Sequence, residues 1–321
     1  MIKLLHVEDD ADIREIALMA LELSGDFEVV QCETGEAALN QVQNYTPDVI
    51  LLDIQMPGMD GIELARRIRE TARHADTPIL MLTAMSDKRY IDAAFAAGAT
   101  DYVTKPFEIA ELKERISVVE GMAEARQQRT KKIFAAKSAA DQASQVALFE
   151  PISIYDVDNV IEYSSMENYV AQLSRSALFG STTFAFSIRE IEGFHEAMSS
   201  FEFYSLISDV AEVSSDTLQG HQFLMSYAGS GTFVCITESG WRPNMNGLMD
   251  AVNLELSQTE LFDNYGQRIH PRVSAGQAVR LIWKSGNSVM DALAQAHSSA
   301  EAASQAHTRA MANYWQVDQT A

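Results

Sequence analysis

Short apolar runs punctuate the first third of the chain: Leu4-Leu5-His6-Val7, Val49-Ile50-Leu51-Leu52 and Ile79-Leu80-Met81-Leu82. Short runs without polar alternation are the pattern of strands buried on both faces. Val29-Val30 and Tyr102-Val103 fit two more strands. Between them lie stretches of helical period, Asp12 to Ser24, Gly35 to Asn44, Gly61 to Arg73 and Lys88 to Ala97. Strand–helix alternation repeated five times predicts an α/β fold, a doubly wound five-stranded parallel sheet with helices on both faces. Sites in such folds lie beyond the carboxyl ends of the strands.

From Ile109 to about Phe149 the chain holds a single Gly, no Pro, and much Ala, Glu, Gln, Lys and Arg, all good helix formers. This predicts a long helix, or two in tandem, leaving the first domain. Its apolar repeat (Val118, Val119, Met122, Ile133, Phe134, Val146, Phe149) is loose, so a coiled coil and a plain linker helix both remain open. Pro151 marks the next boundary. The expected organisation is therefore 1–121, a helical linker 122–150, and a second domain 151–321. In that second domain Thr183 to Ile188, Thr232 to Ile236 and Val273 to Leu281 read as strands. Phe201 to Ser214, Met245 to Ser257 and Ser288 to Ala312 read as helices. The order predicts an α+β or ferredoxin-like sheet.

Charge narrows the partners. The 321 residues carry a net charge of −21, and from Glu150 onward eight Lys/Arg stand against twenty Asp/Glu, a balance of −12. Affinity for phosphate backbones and anionic membranes comes from clustered Lys and Arg, so neither DNA nor a membrane is an expected partner. Cys32 and Cys235 fall in different domains, which argues against a structural disulfide and for a reducing, cytoplasmic setting. Both are expected as small core residues. The start of the chain is too short an apolar run for a signal peptide, and no run of 18 apolar residues is present.

The chemistry gathers at the predicted strand ends. Glu8 and Asp9 follow the first strand, Asp53 the third, Thr83 the fourth and Lys105 the fifth, and a parallel sheet brings all of them to one edge. Clustered carboxylates repel unless a cation neutralises them, and an all-oxygen set suits Mg²⁺. A carboxylate beside Mg²⁺ is a nucleophile toward a phosphoryl donor. Lys105 can pair with the transferred group and Thr83 can hydrogen-bond to it; the Lys105–Pro106 bond is a candidate cis peptide.

Four segments, Val7-Glu8-Asp9-Asp10, Leu52-Asp53-Ile54-Gln55-Met56-Pro57-Gly58-Met59-Asp60-Gly61, Leu82-Thr83-Ala84 and Asp101-Tyr102-Val103-Thr104-Lys105-Pro106-Phe107, resemble the receiver domains of two-component response regulators, in order and spacing. The resemblance covers about 120 residues and implies a flavodoxin-like fold. It further implies that Asp53 accepts a phosphoryl group from a sensor histidine kinase or phosphotransfer protein. Glu8, Asp9, Asp53 and the backbone carbonyl of Gln55 would bind Mg²⁺. Thr83 and Tyr102 would form the switch pair, and Lys105 would contact the phosphoryl group. Asp10 matches a variable position and takes no role.

Fainter signals lie in the second domain. Tyr227-Ala228-Gly229-Ser230-Gly231-Thr232-Phe233-Val234 is similar to the GGDEF hairpin of diguanylate cyclases. Phe184 to Phe194, with Glu190 and Glu192 in the place of aspartates, is similar to that family's first strand and metal loop. Leu206-Ile207 with Val210-Ala211, Val273-Ser274-Ala275-Gly276-Gln277-Ala278, and Ala296 to Ser304 follow in the family's order. The departures decide the reading. The catalytic Asp-Glu pair is Gly231-Thr232, the guanine-binding Asn and Asp match Met198 and Tyr204, and the inhibitory Arg-x-x-Asp is Gly220-His221-Gln222-Phe223. Glu190 reads as a solvated loop acid or a residual metal ligand. His195, His221, His270, His297 and His307 show no metal-ligand spacing.

The expectation is a phosphorelay response regulator with no enzymatic activity beyond its own phosphorylation. It would signal through an inactive GGDEF-like domain that binds an unidentified downstream protein or pairs two chains. The alternatives are a cyclic di-GMP or GTP receptor and, less in keeping with the residues, an active cyclase.

Overall fold

The computed structural model describes residues 1–23, 25–84, 88–135, 146–155, 157–173, 178–281 and 289–318. The chain divides into two compact units, Met1–Gln128 and Arg129–Ala321.

The first unit runs β1 (Ile2–Val7), α1 (Ala11–Glu22), β2 (Phe27–Cys32), α2 (Gly35–Asn44), β3 (Val49–Asp53), α3 (Gly61–Arg69), β4 (Ile79–Thr83), α4 (Lys88–Ala96), β5 (Asp101–Thr104) and α5 (Ile109–Ala135). All strand pairs are parallel, in the order β2-β1-β3-β4-β5. Every residue of β3 and β4 is buried, the reason they read as unbroken apolar runs. Leu4, Leu51, Leu80, Leu82 and Val103 pack with Leu112, Ile116 and Val119 of α5. Asp10, Thr34 and Asp60 cap α1, α2 and α3 with side-chain oxygens that accept backbone N–H groups. Helix α3 ends at Arg69, earlier than the predicted Arg73. The Arg69 guanidinium donates to the carbonyls of His74, Thr77 and Gly98, folding the chain into a 3₁₀ turn at Ala72–His74.

The predicted helix from Ile109 to Phe149 is realised as far as Ala135. Residues 136–145 lie outside the described residues, as do the predicted helix ends Ser24 and Ser288. Residues 146–150 are not helical. There Glu150 N–H turns back to Ala147 O at 2.9 Å, and Val146 and Ile152 are buried in the core of the second unit. The division falls between Gln128 and Arg129, inside α5, and the stretch before Pro151 is counted with the second unit.

The second unit continues with α6 (Tyr163–Gln172), β6 (Thr182–Ile188), α7 (Ile191–Ala197), α8 (Ser200–Thr217), β7 (Phe223–Tyr227), β8 (Thr232–Thr237), α9 (Met245–Gln258), β9 (Leu261–Phe262), β10 (Arg268–Ile269), β11 (Val273–Ala275), β12 (Val279–Arg280) and α10 (Val289–Asp318). Its main sheet is ordered β11-β6-β8-β7, all antiparallel, with β12 also on β6 and a parallel bridge from Val160 to Met225. Counting those four strands within the unit, the order is 4-1-3-2, the ferredoxin-like arrangement. Phe184, Phe186 and Ile188 enter one core with Leu206, Ile207 and Val210 of α8 and Val252 and Leu256 of α9. Helix α10 runs along β6, β8 and β11. The single strand predicted over Val273 to Leu281 is broken into β11 and β12. At the break Gln277 N–H leaves the ladder for Ser299 Oγ of α10, 2.8 Å away. The β9–β10 hairpin and α6 carry too few periodic positions to stand out in the sequence. Cys32 and Cys235 are buried free thiols, as core residues should be.

Candidate functional site

Register builds the first site. Val7 pairs with Leu52, so Glu8 and Asp9 leave β1 beside Asp53, the last residue of β3. Asp53 pairs with Leu82 and Thr83 with Thr104, which delivers Thr83 and Lys105 to the same edge. Lys105 N–H donates to Thr83 O at 2.7 Å, and the Lys105–Pro106 peptide is cis. The carboxylates of Glu8, Asp9 and Asp53 each bring an oxygen within 4.8 Å of the others. Among the described residues this is the one group of three or more such side chains placed to hold a metal ion. Glu8 and Asp53 are buried and Asp9 is exposed.

Lys105 Nζ sits between the two buried acids, 2.7 Å from Glu8 Oε2 and 3.2 Å from Asp53 Oδ1. Burial pushes the Glu8 carboxyl above the usual carboxylate range; the Lys105 hydrogen bond pulls the other way and the Asp53 charge adds to the rise. Behind them His6 is fully buried, and neither ring nitrogen has a hydrogen-bond partner among the described residues. Burial, then the positive charges of Lys105 and Arg14, lowers it to about 4, so it is neutral at pH 7. Arg14 closes the β1–α1 turn by donating to Glu8 O at 2.7 Å.

The other predicted positions surround this centre. Gln55 is exposed in the β3–α3 loop and lines an open cleft of ~460 Å³ with Asp9, Met56, Asp60 and Tyr90. Gly61 N–H returns to Ile54 O, and a Cβ on Gly61 would stand 2.1 Å from Asp53 O, so glycine lets α3 close against the acceptor strand. Thr83 is fully buried. The Tyr102 ring is buried edge-on to Phe95, with centroids 6.2 Å apart. Burial raises its phenol to about 12, with Asp101 adding and Arg115 opposing. Asp10, given no role from sequence, is occupied as the α1 cap.

Residues 4–117 match the family model of the response regulator receiver domain. The N-terminal unit of this chain is a receiver domain of the response regulators of two-component systems. Similar curated proteins include the phosphate regulon transcriptional regulatory protein PhoB of Pseudomonas aeruginosa, 41% identical over 116 residues, 36% of this chain and 50% of that protein. The transcriptional regulatory protein CseB of Streptomyces coelicolor is 44% identical over 115 residues, 36% of this chain and 47% of that protein. The chain thus spans about half the length of the curated relatives it matches. Among solved structures, the chemotaxis response regulator CheY4 of Vibrio cholerae is 34% identical over 37% of this chain and 98% of that one, with a TM-score of 0.36. The receiver domain of a sensor histidine kinase from Pseudomonas aeruginosa PAO1, solved with magnesium in its active-site cleft, is 29% identical over the same shares, also with a TM-score of 0.36.

The family match ends at residue 117, so the second unit is read from its own geometry. Its Gly-rich hairpin joins β7 to β8 as predicted. Thr232 is fully buried, with Oγ1 3.2 Å from Ser187 Oγ. The hairpin tip is covered by the chain's own residues 146–149. Ser230 N–H donates to Leu148 O at 2.7 Å and His195 Nε2 to Val146 O at 2.7 Å. A Cβ on Gly229 would lie 2.2 Å from Phe149 O. Glu190 adopts a left-handed backbone, φ 55°, and Glu192 is exposed in the first turn of α7. Met198 is buried, and Tyr204 is half-buried against the core. The five histidines are scattered. His195 serves the strap, His221 stacks on Trp241 at 3.9 Å, His270 is exposed, His297 sits one turn from Glu301, and His307 meets Arg189 at 2.9 Å. The sequence read residues 146–149 as helix, because their hydrogen bonds to the hairpin and to His195 are made by backbone carbonyls, which leave no side-chain pattern.

No helix among the described residues is long and apolar enough to cross a membrane.

Proposed function

We propose that the chain is a phosphorelay response regulator in which Asp53 takes a phosphoryl group from a sensor histidine kinase or phosphotransfer protein. The observation that carries this is the meeting of Glu8, Asp9 and Asp53 with Lys105 at one edge of a receiver sheet. An Asp53 oxygen attacks the donor's phosphorus, the bond from phosphorus to the donor breaks, and an acyl phosphate results. Lys105 Nζ, already 3.2 Å from Asp53, is placed to pair with the oxygens of the new group. Thr83 and the buried Tyr102 are the groups we assign to reporting the change toward β4 and β5. The oxygen-only donor set fits Mg²⁺, which Glu8, Asp9, Asp53 and the Gln55 carbonyl would hold. When bound, it would neutralise charge on the donor phosphate.

The second unit, over its proposed span of 151–321, we read as a GGDEF-like domain without cyclase chemistry, used to bind a downstream protein or to pair two chains. Supporting this, Gly231 and Thr232 supply no carboxylate at the hairpin, and the strap 146–149 lies over its tip. The balance of −12 beyond Glu150 speaks against DNA as the target. A cytoplasmic site of action follows from the proposed kinase partner. The output half is tested by capture from native extract with the wild-type chain and Asp53→Asn. A protein retained by the phosphorylated wild type alone supports it, whereas conversion of GTP by the purified chain overturns it.

A further inference from the structure

A second concavity lies on the output unit, starting at Glu190 beside Ile191, the residue that packs against Gly231 of the hairpin tip, and including Met198, which the sequence matched to the cyclases' guanine contact. Helix α7 and the first turn of α8 form its floor and the β9–β10 hairpin its roof, enclosing ~300 Å³. Its walls are mainly apolar, with Phe194, Met198 and Tyr265 among them, and three acids, Glu190, Glu202 and Asp263, are among the residues that line it. Among the described residues no Lys or Arg lines it. The roof is pinned in place. Asn264 N–H donates to Glu202 Oε1 at 2.9 Å, and Asp263 Oδ1 accepts from Tyr265 N–H and Gln267 N–H. Glu202 also closes the α8 capping box by accepting from Ser199 N–H at 2.8 Å. The carboxylate of Glu190 makes no hydrogen bond to a described residue, and its neighbour Arg189 is committed to Ser274 and His307.

Two features define what fits. The walls and charges match a cation on an aliphatic stem, because a guanidinium stacks on an aromatic face and pairs with carboxylates at once. Tyr265, in the β9–β10 turn, is 83% exposed and Phe262, on β9, 56% exposed, so aromatic surface stands free beside the acids. A cavity of ~300 Å³ is at the lower limit of small-molecule sites and suits one or two side chains. Three carboxylates facing one cleft repel a nucleotide's phosphates.

We propose that this cleft is the docking site for a basic peptide segment of a downstream protein, with an arginine side chain laid between Tyr265 and the carboxylates of Glu190 and Asp263. The inference rests on reading the second unit as an interaction module and names the chemistry of its partner. It makes the acidity of this half a recognition feature, since charge opposite to the ligand's steers encounter and rejects wrong partners.

The test titrates the full unphosphorylated chain with acetyl-Leu-Arg-Arg-Leu-amide by calorimetry, with acetyl-Leu-Glu-Glu-Leu-amide as the charge-reversed probe. Saturable binding of the arginine peptide alone is expected. Glu190→Gln and Tyr265→Ser should each weaken it at least fivefold, and Glu212→Gln, on the exposed side of α8, should leave it unchanged. Thermal melting of each variant checks folding. The proposal is overturned by absence of saturable binding, by binding that survives both cleft substitutions, or by equal weakening in Glu212→Gln, which would mean diffuse attraction. It is also overturned if GTP with Mg²⁺ occupies the cleft in competition with the peptide. The readout is independent of Asp53: failed phosphorylation would sink the relay reading without moving this titration, and the reverse also holds.

Discussion

Lys105 Nζ lies 3.2 Å from Asp53 Oδ1 and, at 2.7 Å, closer still to Glu8 Oε2, so one ammonium serves the two buried acids of the receiver site. The lysine thus neutralises charge on the carboxylates proposed to hold Mg²⁺. A bound Mg²⁺ would compete with it for them.

Removing the lysine should therefore tighten the metal. Lys105→Ala is expected to bind Mg²⁺ several-fold more strongly, a change on the order of 1 kcal/mol, while its metal-free form melts at a lower temperature. Calorimetric titration with MgCl₂ and melts in EDTA check both. Equal Mg²⁺ affinity in the two proteins would show that the ammonium exerts no hold on the site.

Tyr102 offers a pH test. Burial keeps its phenol neutral to about 12, against an ordinary value near 10. The unfolded chain loses this proton first as pH rises. The contribution to stability is therefore complete below pH 10 and is lost between pH 10 and 12, to a limit of about 3 kcal/mol. The tyrosinate absorbance of the folded wild type minus that of Tyr102→Phe should rise near pH 12. A difference curve centred at pH 10 would place the ring in water.

The strap over the hairpin tip predicts a local cost. Gly229 has φ +93° and no room for a Cβ beside Phe149 O. Gly229→Ala should destabilise the second unit by about 2 kcal/mol or more, through backbone strain and loss of the Ser230–Leu148 bond. Two-probe thermal unfolding should show the receiver transition unmoved. A melt identical to wild type would mean that residues 146–149 do not rest on the hairpin.

Much of this molecule was legible in the chain. The buried runs of β1, β3 and β4 announced the parallel sheet, and the expected convergence of Glu8, Asp9, Asp53 and Lys105 is seen, because a parallel sheet converts sequence order into spatial convergence. The second unit was legible only in outline. Its strands β6 and β8 are mostly apolar and buried at every position, but the β9–β10 hairpin is two residues on each side, below any periodic signal. The end of helical structure before Val146 was hidden as well. Ala147, Leu148 and Glu150 are good helix formers whose backbone is claimed by the hairpin and core of the second unit. The cleft beside Tyr265 depends on Asn264 reaching Glu202, a contact across 62 positions that no local pattern announces.

The central claim concerns Asp53, and it is tested most directly by mass spectrometry of the intact chain after incubation with Mg²⁺ and acetyl phosphate, wild type beside Asp53→Asn. The account predicts one added phosphoryl group on the wild type, mapped to Asp53 and absent from Asp53→Asn and from wild type in EDTA. An unmodified wild type, or equal labelling of both proteins, would contradict it.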